Sequence, residues 1–212
     1  MKKIIFANRI EMKKIKQATE ILQEGKILIH PTENLYGFGA IITNKEAINK
    51  ISHIKKRKEK QGYIVLIGDL SPLNSLVSKI SVIEKKLIDE YWPGPLTIIF
   101  NAKKKYWKNQ ICKNKTIAVR LVGNVITQEI INETGIPIIS TSINISGERE
   151  IFEINDIITK FENQVEGIVI DEINTFTNLP STIVKVVNNK VEVLRKGAIT
   201  LQNYKIQITK SK

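Results

Sequence analysis

The chain has 212 residues, 42% of them hydrophobic, a formal net charge of +12 from 33 basic and 21 acidic side chains, and one cysteine, Cys112. Its length supports one globular domain with a sizeable core, while a lone cysteine excludes an internal disulfide or a thiolate metal cluster within one chain. No apolar run approaches the roughly 20 residues of a membrane helix, and residues 1–9 lack the apolar stretch of a signal peptide, which predicts a cytoplasmic protein without membrane contact.

From the N-terminus, Met12, Ile15, Thr19 and Leu22 fall on one helical face, Gly25 stops that helix, and residues 26–29 read as a buried strand ending at Pro31. A second helix is expected from Thr43, where Thr43 and Glu46 have capping-box spacing. It carries Ala47, Ile48, Ile51 and Ile54 on its inner side and runs into the basic cluster Lys55-Lys56-Arg57-Lys58. Residues 63–67 read as the next strand, Ser71-Pro72 open a short helix, and Ser81 with Glu84 cap a longer one ending near Trp92-Pro93. Strands follow at 96–100 and 116–121, joined by a polar connector, 101–115, expected to be exposed. A helix over 125–134 stops at Gly135 and leads into a strand beginning Pro137-Ile138-Ile139, with later strands at 167–171, 182–187 and 191–194. Alternating helix and strand, without repeats, low-complexity tracts or linkers, favour a single α/β domain.

Residues 138–147, Ile-Ile-Ser-Thr-Ser-Ile-Asn-Ile-Ser-Gly, carry the most chemical information, because an apolar strand ends in hydroxyls, a carboxamide and a glycine with no charge among them. Such a run binds phosphate, carboxylate or ribose at a strand edge, or caps its own backbone as a polar turn. On this segment alone the two are evenly matched. Further polar clusters fall at strand ends, where open α/β sheets place ligands: His30-Pro31-Thr32-Glu33-Asn34, Arg120, Ser181-Thr182 and Arg195. Brought together they would suit an anionic ligand, since arginine grips phosphate or carboxylate bidentately; singly, each has an ordinary structural explanation. P-loop and dinucleotide fingerprints are absent, as are ordered carboxylate pairs and histidine metal ligands. Cations and hydroxyls without strong bases point to positioning and charge stabilisation, as in nucleotidyl transfer. Glu33 suits a turn acceptor as well as a base, and His30 and His53 read as packed or surface histidines. The net charge would attract nucleotides or RNA, yet Ile, Lys and Asn codons are rich in A and T, so genome composition accounts for the lysines equally well.

Taken in order, five segments resemble the motifs of one family. They are His30-Pro31-Thr32-Glu33-Asn34-Leu35-Tyr36-Gly37-Phe38-Gly39, Lys55-Lys56-Arg57, Trp92-Pro93-Gly94-Pro95-Leu96-Thr97, Ala118-Val119-Arg120 and Ser140-Thr141-Ser142-Ile143-Asn144-Ile145-Ser146-Gly147. The family is that of the threonylcarbamoyl-AMP synthases, YrdC/Sua5, in its short single-domain form, and Ser181-Thr182 and Leu194-Arg195-Lys196-Gly197 extend the likeness. The resemblance implies a single YrdC-like domain over residues 1–212, with a twisted, open mixed sheet and flanking helices around a positively charged cavity. It implies an enzyme, a nucleotidyltransferase that joins L-threonine, bicarbonate and ATP into L-threonylcarbamoyl-AMP and pyrophosphate. The product would serve threonylcarbamoylation of the adenosine beside the anticodon in tRNAs reading codons that begin with A, completed by a partner transferase. By the same resemblance Lys55, Arg57, Ser142 and Asn144 are the catalytic group, Lys55 and Arg57 holding the ATP phosphates. Thr116, Ser142, Asn144 and Arg195 would complete the ATP site. Arg120 would pair with the threonine carboxylate, with Thr32, Ser140 and Thr182 nearby. Magnesium would accompany the triphosphate, held by ATP oxygens and water rather than by protein side chains.

The chain departs from the family pattern at His30, where an aromatic such as tyrosine is common, at Asn34, often threonine or alanine, and over Leu121-Val122-Gly123-Asn124. Lys58 replaces a usual proline, which predicts a less rigid loop after Arg57. None of these removes a proposed binding group. The sequence runs only 15 residues past Gly197, which predicts a form without the extra C-terminal domain of longer members. Two rivals stand beside the synthase: a non-catalytic basic RNA-binding module in contact with tRNA or other RNA, and a carbamoyl-adenylate enzyme for another substrate, as in hydrogenase maturation proteins, which the short length disfavours.

Overall fold

The structure, a computed structural model, describes residues 3–7, 12–57, 62–171, 176–201, 204 and 206–208, so Lys58 lies outside the described residues. Strand β1 (Lys3–Ala7) leads off, unanticipated in the sequence. Helix α1 (Met12–Gln23) buries Ile15, Ala18, Thr19, Ile21 and Leu22, whereas Met12, expected on that inner face, is 47% exposed because the helix meets the sheet only from Ile15 onward. Strands β2 (Leu28–His30) and β3 (Gly37–Ile41) pair antiparallel. Helix α2 (Lys45–Ile54) is capped by Asn44 rather than Thr43: the Asn44 backbone is extended and its Oδ1 accepts the Ala47 N–H at 2.9 Å.

Strand β4 (Ile64–Ile67), the single turn α3 (Leu73–Leu76) and α4 (Val82–Tyr91) follow; Ser81 and Glu84 form the expected reciprocal capping box. After β5 (Leu96–Asn101), the 101–115 connector is less open than expected. It holds β6 (Cys112–Lys113) on the side of β7 (Thr116–Leu121) and buries Ile111, whose apolar side chain is drawn into the core. Helix α5 (Val125–Thr134) ends where expected, at Gly135, whose φ of +71° suits a residue without Cβ. Strand β8 (Ile138–Ser142) continues through the hydroxyl-rich residues, and α6 (Ile154–Phe161), not foreseen, leads to β9 (Gly167–Asp171), β10 (Thr182–Val187), β11 (Lys190–Arg195) and β12 (Ile206–Ile208).

All the described strands join one open, mixed sheet in the order β1-β9-β2-β3-β8-β4-β7-β5-β10-β11-β12, with β6 on the side of β7. Alternation along the strands divides the core in two. Leu28, Leu66, Ile138 and Val169 face α1 and α5, while Ile29, Val65, Ile67, Ile139 and Ile168 face the side covered by α2, α3, α4 and α6. Each such side chain contributes about 1.5–3 kcal/mol on burial. Among the described residues no helix is long and apolar enough to cross a membrane.

Candidate active site

Strand register builds the floor of the site. Ser140 of β8 lies beside Ile64 of β4, Ile64 beside Ala118 of β7, and Ala118 beside Ile99 of β5. These four residues form one row across the sheet and all line a cavity of about 500 Å3. Leu66 and Arg120, paired in the adjacent row on β4 and β7, extend the same face, which is the face that carries α1 and α5. The walls come from the segment after β2, the end of α2, the turn after β8 and the ends of β10 and β11. They bring Lys55, Arg57, Lys113, Arg120 and Arg195 to one space with a single carboxylate, Glu150.

Each cation is held by a different device. The Lys55 ammonium, on a residue only 3% exposed, donates to Ser142 O at 2.5 Å, Asn144 O at 2.8 Å and Asn144 Oδ1 at 2.5 Å, which uses its three protons. Ser142 Oγ donates to the same Oδ1 at 2.9 Å, and Asn144 Nδ2 donates to Glu148 O. Lys55, Ser142 and Asn144 thus form one knot in which Lys55 orders the loop and adds charge. Arg57 stacks on the Tyr63 ring, 4.2 Å from its centroid, and donates to Gly62 O; Tyr63 is fixed in turn by Ser52 of α2 at 2.6 Å. Arg120 is 5% exposed, donates to Asn34 Oδ1 at 2.8 Å and pairs with Glu33 at 2.6 Å, while Glu33 accepts the Gly123 N–H. Glu33 therefore serves as a brace to β7 and the segment after it rather than as an acceptor within its own turn. Arg195 donates through Nε to Ser181 O and through Nη2 to Ser181 Oγ, which meets Thr97.

The remaining expected residues divide. Thr32 lines the cavity, but its hydroxyl closes a local turn with Leu35 O and the Asn34 and Leu35 N–H groups. Thr116 lines it at the start of β7, its hydroxyl donating to Lys113 O. Ser140 lines it and meets His30 Nε2 at 3.2 Å. Thr182 is not brought to the lining. It is buried and exchanges hydrogen bonds with the Ile199 backbone, while its neighbour Ser181 faces the cavity.

Burial lowers the Lys55 pKa to about 8, helped by Arg57 and opposed by Glu150. Arg57 and Arg195 are also shifted down, chiefly by burial of their guanidinium groups; Arg120 adds to the effect on Arg195 and Glu150 opposes it. Crowded cations of this kind are relieved by an anionic ligand. Burial pushes the Cys112 thiol up to about 11, so it stays protonated at neutral pH, and His53 is exposed on α2. Among the described residues no three His, Cys, Asp or Glu side chains converge on a common point. A lining with one carboxylate among five cations is not a magnesium cage, so the donor set fits a metal carried in on a triphosphate rather than one held by the protein.

Residues 20–197 match the Sua5/YciO/YrdC family model, described as "Telomere recombination". The chain belongs to the Sua5/YciO/YrdC family. Within that family it is 31% identical to a threonylcarbamoyl-AMP synthase of Bacillus subtilis, over 88% of this chain and 54% of that protein. It is 33% identical to a putative threonylcarbamoyl-AMP synthase of Methanocaldococcus jannaschii, over 94% of each. The fold superposes on Pyrococcus abyssi Sua5 complexed with L-threonine with a TM-score of 0.84 at 29% identity, covering 92% of this chain and 57% of that one. The chain therefore spans about half the length of the Bacillus and Pyrococcus relatives and nearly all of the Methanocaldococcus one.

Family motifs contain Lys55, Arg57, Arg120 and Arg195 but not all of the residues that hold them. Tyr63 read only as the start of a strand, and nothing in its neighbourhood signalled that it would carry Arg57. Lys113 and Glu150 lacked a distinguishing signal in a chain so rich in charge. His30 stood within a motif, and its bond to Ser140 depends on β2 and β8 both flanking β3, which only the sheet order reveals.

Proposed function

We propose that the chain is a threonylcarbamoyl-AMP synthase that takes L-threonine, bicarbonate and MgATP, working as a single cytoplasmic domain. The observation that supports this best is the convergence of five cations and one carboxylate over a floor of small and apolar residues, in a family whose relatives carry that name. In the first step the threonine nitrogen attacks the carbon of bicarbonate; a C–N bond forms, hydroxide leaves with an amine proton as water, and a carbamate remains. The carbamate oxygen then attacks the α-phosphorus of ATP and pyrophosphate departs. The nucleophile is already an anion, so the site needs no strong base. It needs cations where charge gathers on the phosphoryl oxygens and on pyrophosphate. In this reading Arg57 and Arg195 grip the phosphates, with Lys55 adding charge and holding Ser142 and Asn144 in position, and Thr116 at the cavity edge. Arg120, braced by Glu33 and Asn34, takes the threonine carboxylate, with Thr32 and Ser140 close by. Magnesium, held by triphosphate oxygens and water rather than by side chains, would neutralise part of the triphosphate charge. The adenylate is then passed to a transferase acting on tRNA.

Pyrophosphate release from MgATP tests this directly. Release is expected only when threonine and bicarbonate are both present. Release without threonine, or none with all three, would instead favour the hydrogenase-maturation type of chemistry or the RNA-binding module.

A further inference from the structure

Ser140 lies in the floor row, and among the described residues its hydroxyl meets one partner, His30 Nε2. His30 is fully buried, with Nδ1 3.2 Å from the Pro31 carbonyl oxygen. A carbonyl can only accept, so Nδ1 carries the ring proton. Thr127 approaches the same nitrogen at 3.5 Å, but its own proton goes to Pro31 O at 2.6 Å, which leaves the assignment unchanged. Nε2 is then a bare lone pair, and Ser140 must donate to it. An imidazolium donating from both nitrogens is opposed by burial, which with help from Arg120 and against the Pro31 contact takes the His30 pKa down to about 4.

The pair occupies space that glycines leave open. A Cβ on Gly37 would come within 2.7 Å of Ser140 Oγ, and one on Gly39 within 2.8 Å of His30 Cδ2. A hydroxyl whose proton is committed offers only lone pairs to the cavity. The lining cations Lys55, Arg57, Lys113, Arg120 and Arg195 can only donate. Ser140 is therefore an acceptor set among donors. It cannot serve a phosphate or carboxylate oxygen, which has no proton to give.

We propose that His30 is a positioning residue that fixes Ser140 as a hydrogen-bond acceptor for an N–H or O–H group of the amino-acid substrate, its amine or its β-hydroxyl. This rests on the synthase assignment above and adds polarity to it: the carboxylate of the amino acid lies at Arg120, and its donor end lies two strands away at Ser140.

The test measures pyrophosphate release by wild type, His30→Phe, His30→Gln, Ser140→Ala and the His30→Phe/Ser140→Ala double variant, with threonine and with 2-aminobutyrate, which lacks the hydroxyl. Phe keeps a ring without an acceptor and returns the proton to Ser140, whereas Gln offers an amide oxygen near the place of Nε2. His30→Phe and Ser140→Ala are each expected to raise the threonine KM about tenfold. The ATP KM should stay within about twofold, the double variant should be no worse than either single one, and His30→Gln should recover part of the loss. If the variant effect disappears with 2-aminobutyrate, the donor is the hydroxyl; if it persists, the donor is the amine. A purely structural role would shift both KM values and the thermal midpoint together, and that result, an unchanged threonine KM or additive effects would overturn the proposal. Wild type that fails with threonine would sink the synthase assignment as well; active wild type with indifferent variants would sink only the role of Ser140.

Discussion

At the scale of single residues, the cations are separable because each is anchored differently. Arg57→Ala removes a guanidinium whose stacking on Tyr63 aims it at the cavity, and turnover should fall roughly a hundredfold or more, as when a preorganised donor to developing charge is lost. Arg120→Ala should instead raise the threonine KM at least about tenfold. It should also lower the melting temperature, because Glu33, 20% exposed, is left without its counter-ion. Arg120→Lys should not rescue it, since an ammonium cannot reproduce the fork that reaches both Asn34 and Glu33. Lys55 gives a pH signature. Its folded pKa of about 8 lies below the ordinary 10.5, so the unfolded chain binds more protons between those values. This group's contribution to stability therefore rises with pH across that window. Its charge is lost over the same range, so kcat/KM for ATP should fall as pH climbs through about 8. Bound triphosphate favours the charged form, so kcat should hold to higher pH than kcat/KM. A pH–rate series on wild type and Lys55→Arg, which stays charged, checks this; an identical fall in both would assign the titration elsewhere.

At the scale of elements, end signals were more legible than middles. The Ser81 and Glu84 box was read from spacing alone because both partners lie within one turn and need no tertiary context. Ser81→Ala should cost about 1 kcal/mol in denaturant unfolding and leave kcat and both KM values unchanged, since α4 does not line the cavity. Asn44→Ala should cost somewhat more, because Asn44 Nδ2 also donates to Gly25 O and ties the turn after α1 to α2. The misplaced cap at Thr43 shows where spacing fails: Asn44 is equally competent, and the backbone angles decide between them. Strand β3 was invisible for a physical reason. Its Gly-Phe-Gly-Ala-Ile sequence has poor strand propensity, and it is a strand because β2 and β8 pair with it on both sides. The same glycines leave room for His30 and Ser140. Helix α6 was missed although Ile154, Ile157, Ile158 and Phe161 stand at helical spacing, because it lasts only two turns and its N-cap, Glu153, makes no side-chain cap bond that would mark its start.

At the scale of the whole molecule, the +12 charge admits both an ATP enzyme and an RNA binder, and salt separates them. The cavity cations act at short range: Lys55 and Arg120 are 3% and 5% exposed, in a region where mobile ions screen poorly. Lys103, Lys104, Lys105 and Lys108 stand exposed on the connector, where a Debye length of about 8 Å at physiological salt erases most of their reach. If the function lies in the cavity, raising salt from about 50 to about 200 mM should change turnover at saturating substrates by less than about twofold. Any RNA retained by six or more exposed lysines should be released over the same interval, its affinity falling about a thousandfold or more. Counterion release scales with the number of phosphates contacted, so that steepness cannot come from the few buried cations that hold one nucleotide. Turnover that collapses in parallel with RNA binding would mean that RNA belongs to the active assembly. Turnover that persists after RNA is gone would leave the surface lysines as solvated charge and the cavity as the place where the chemistry happens.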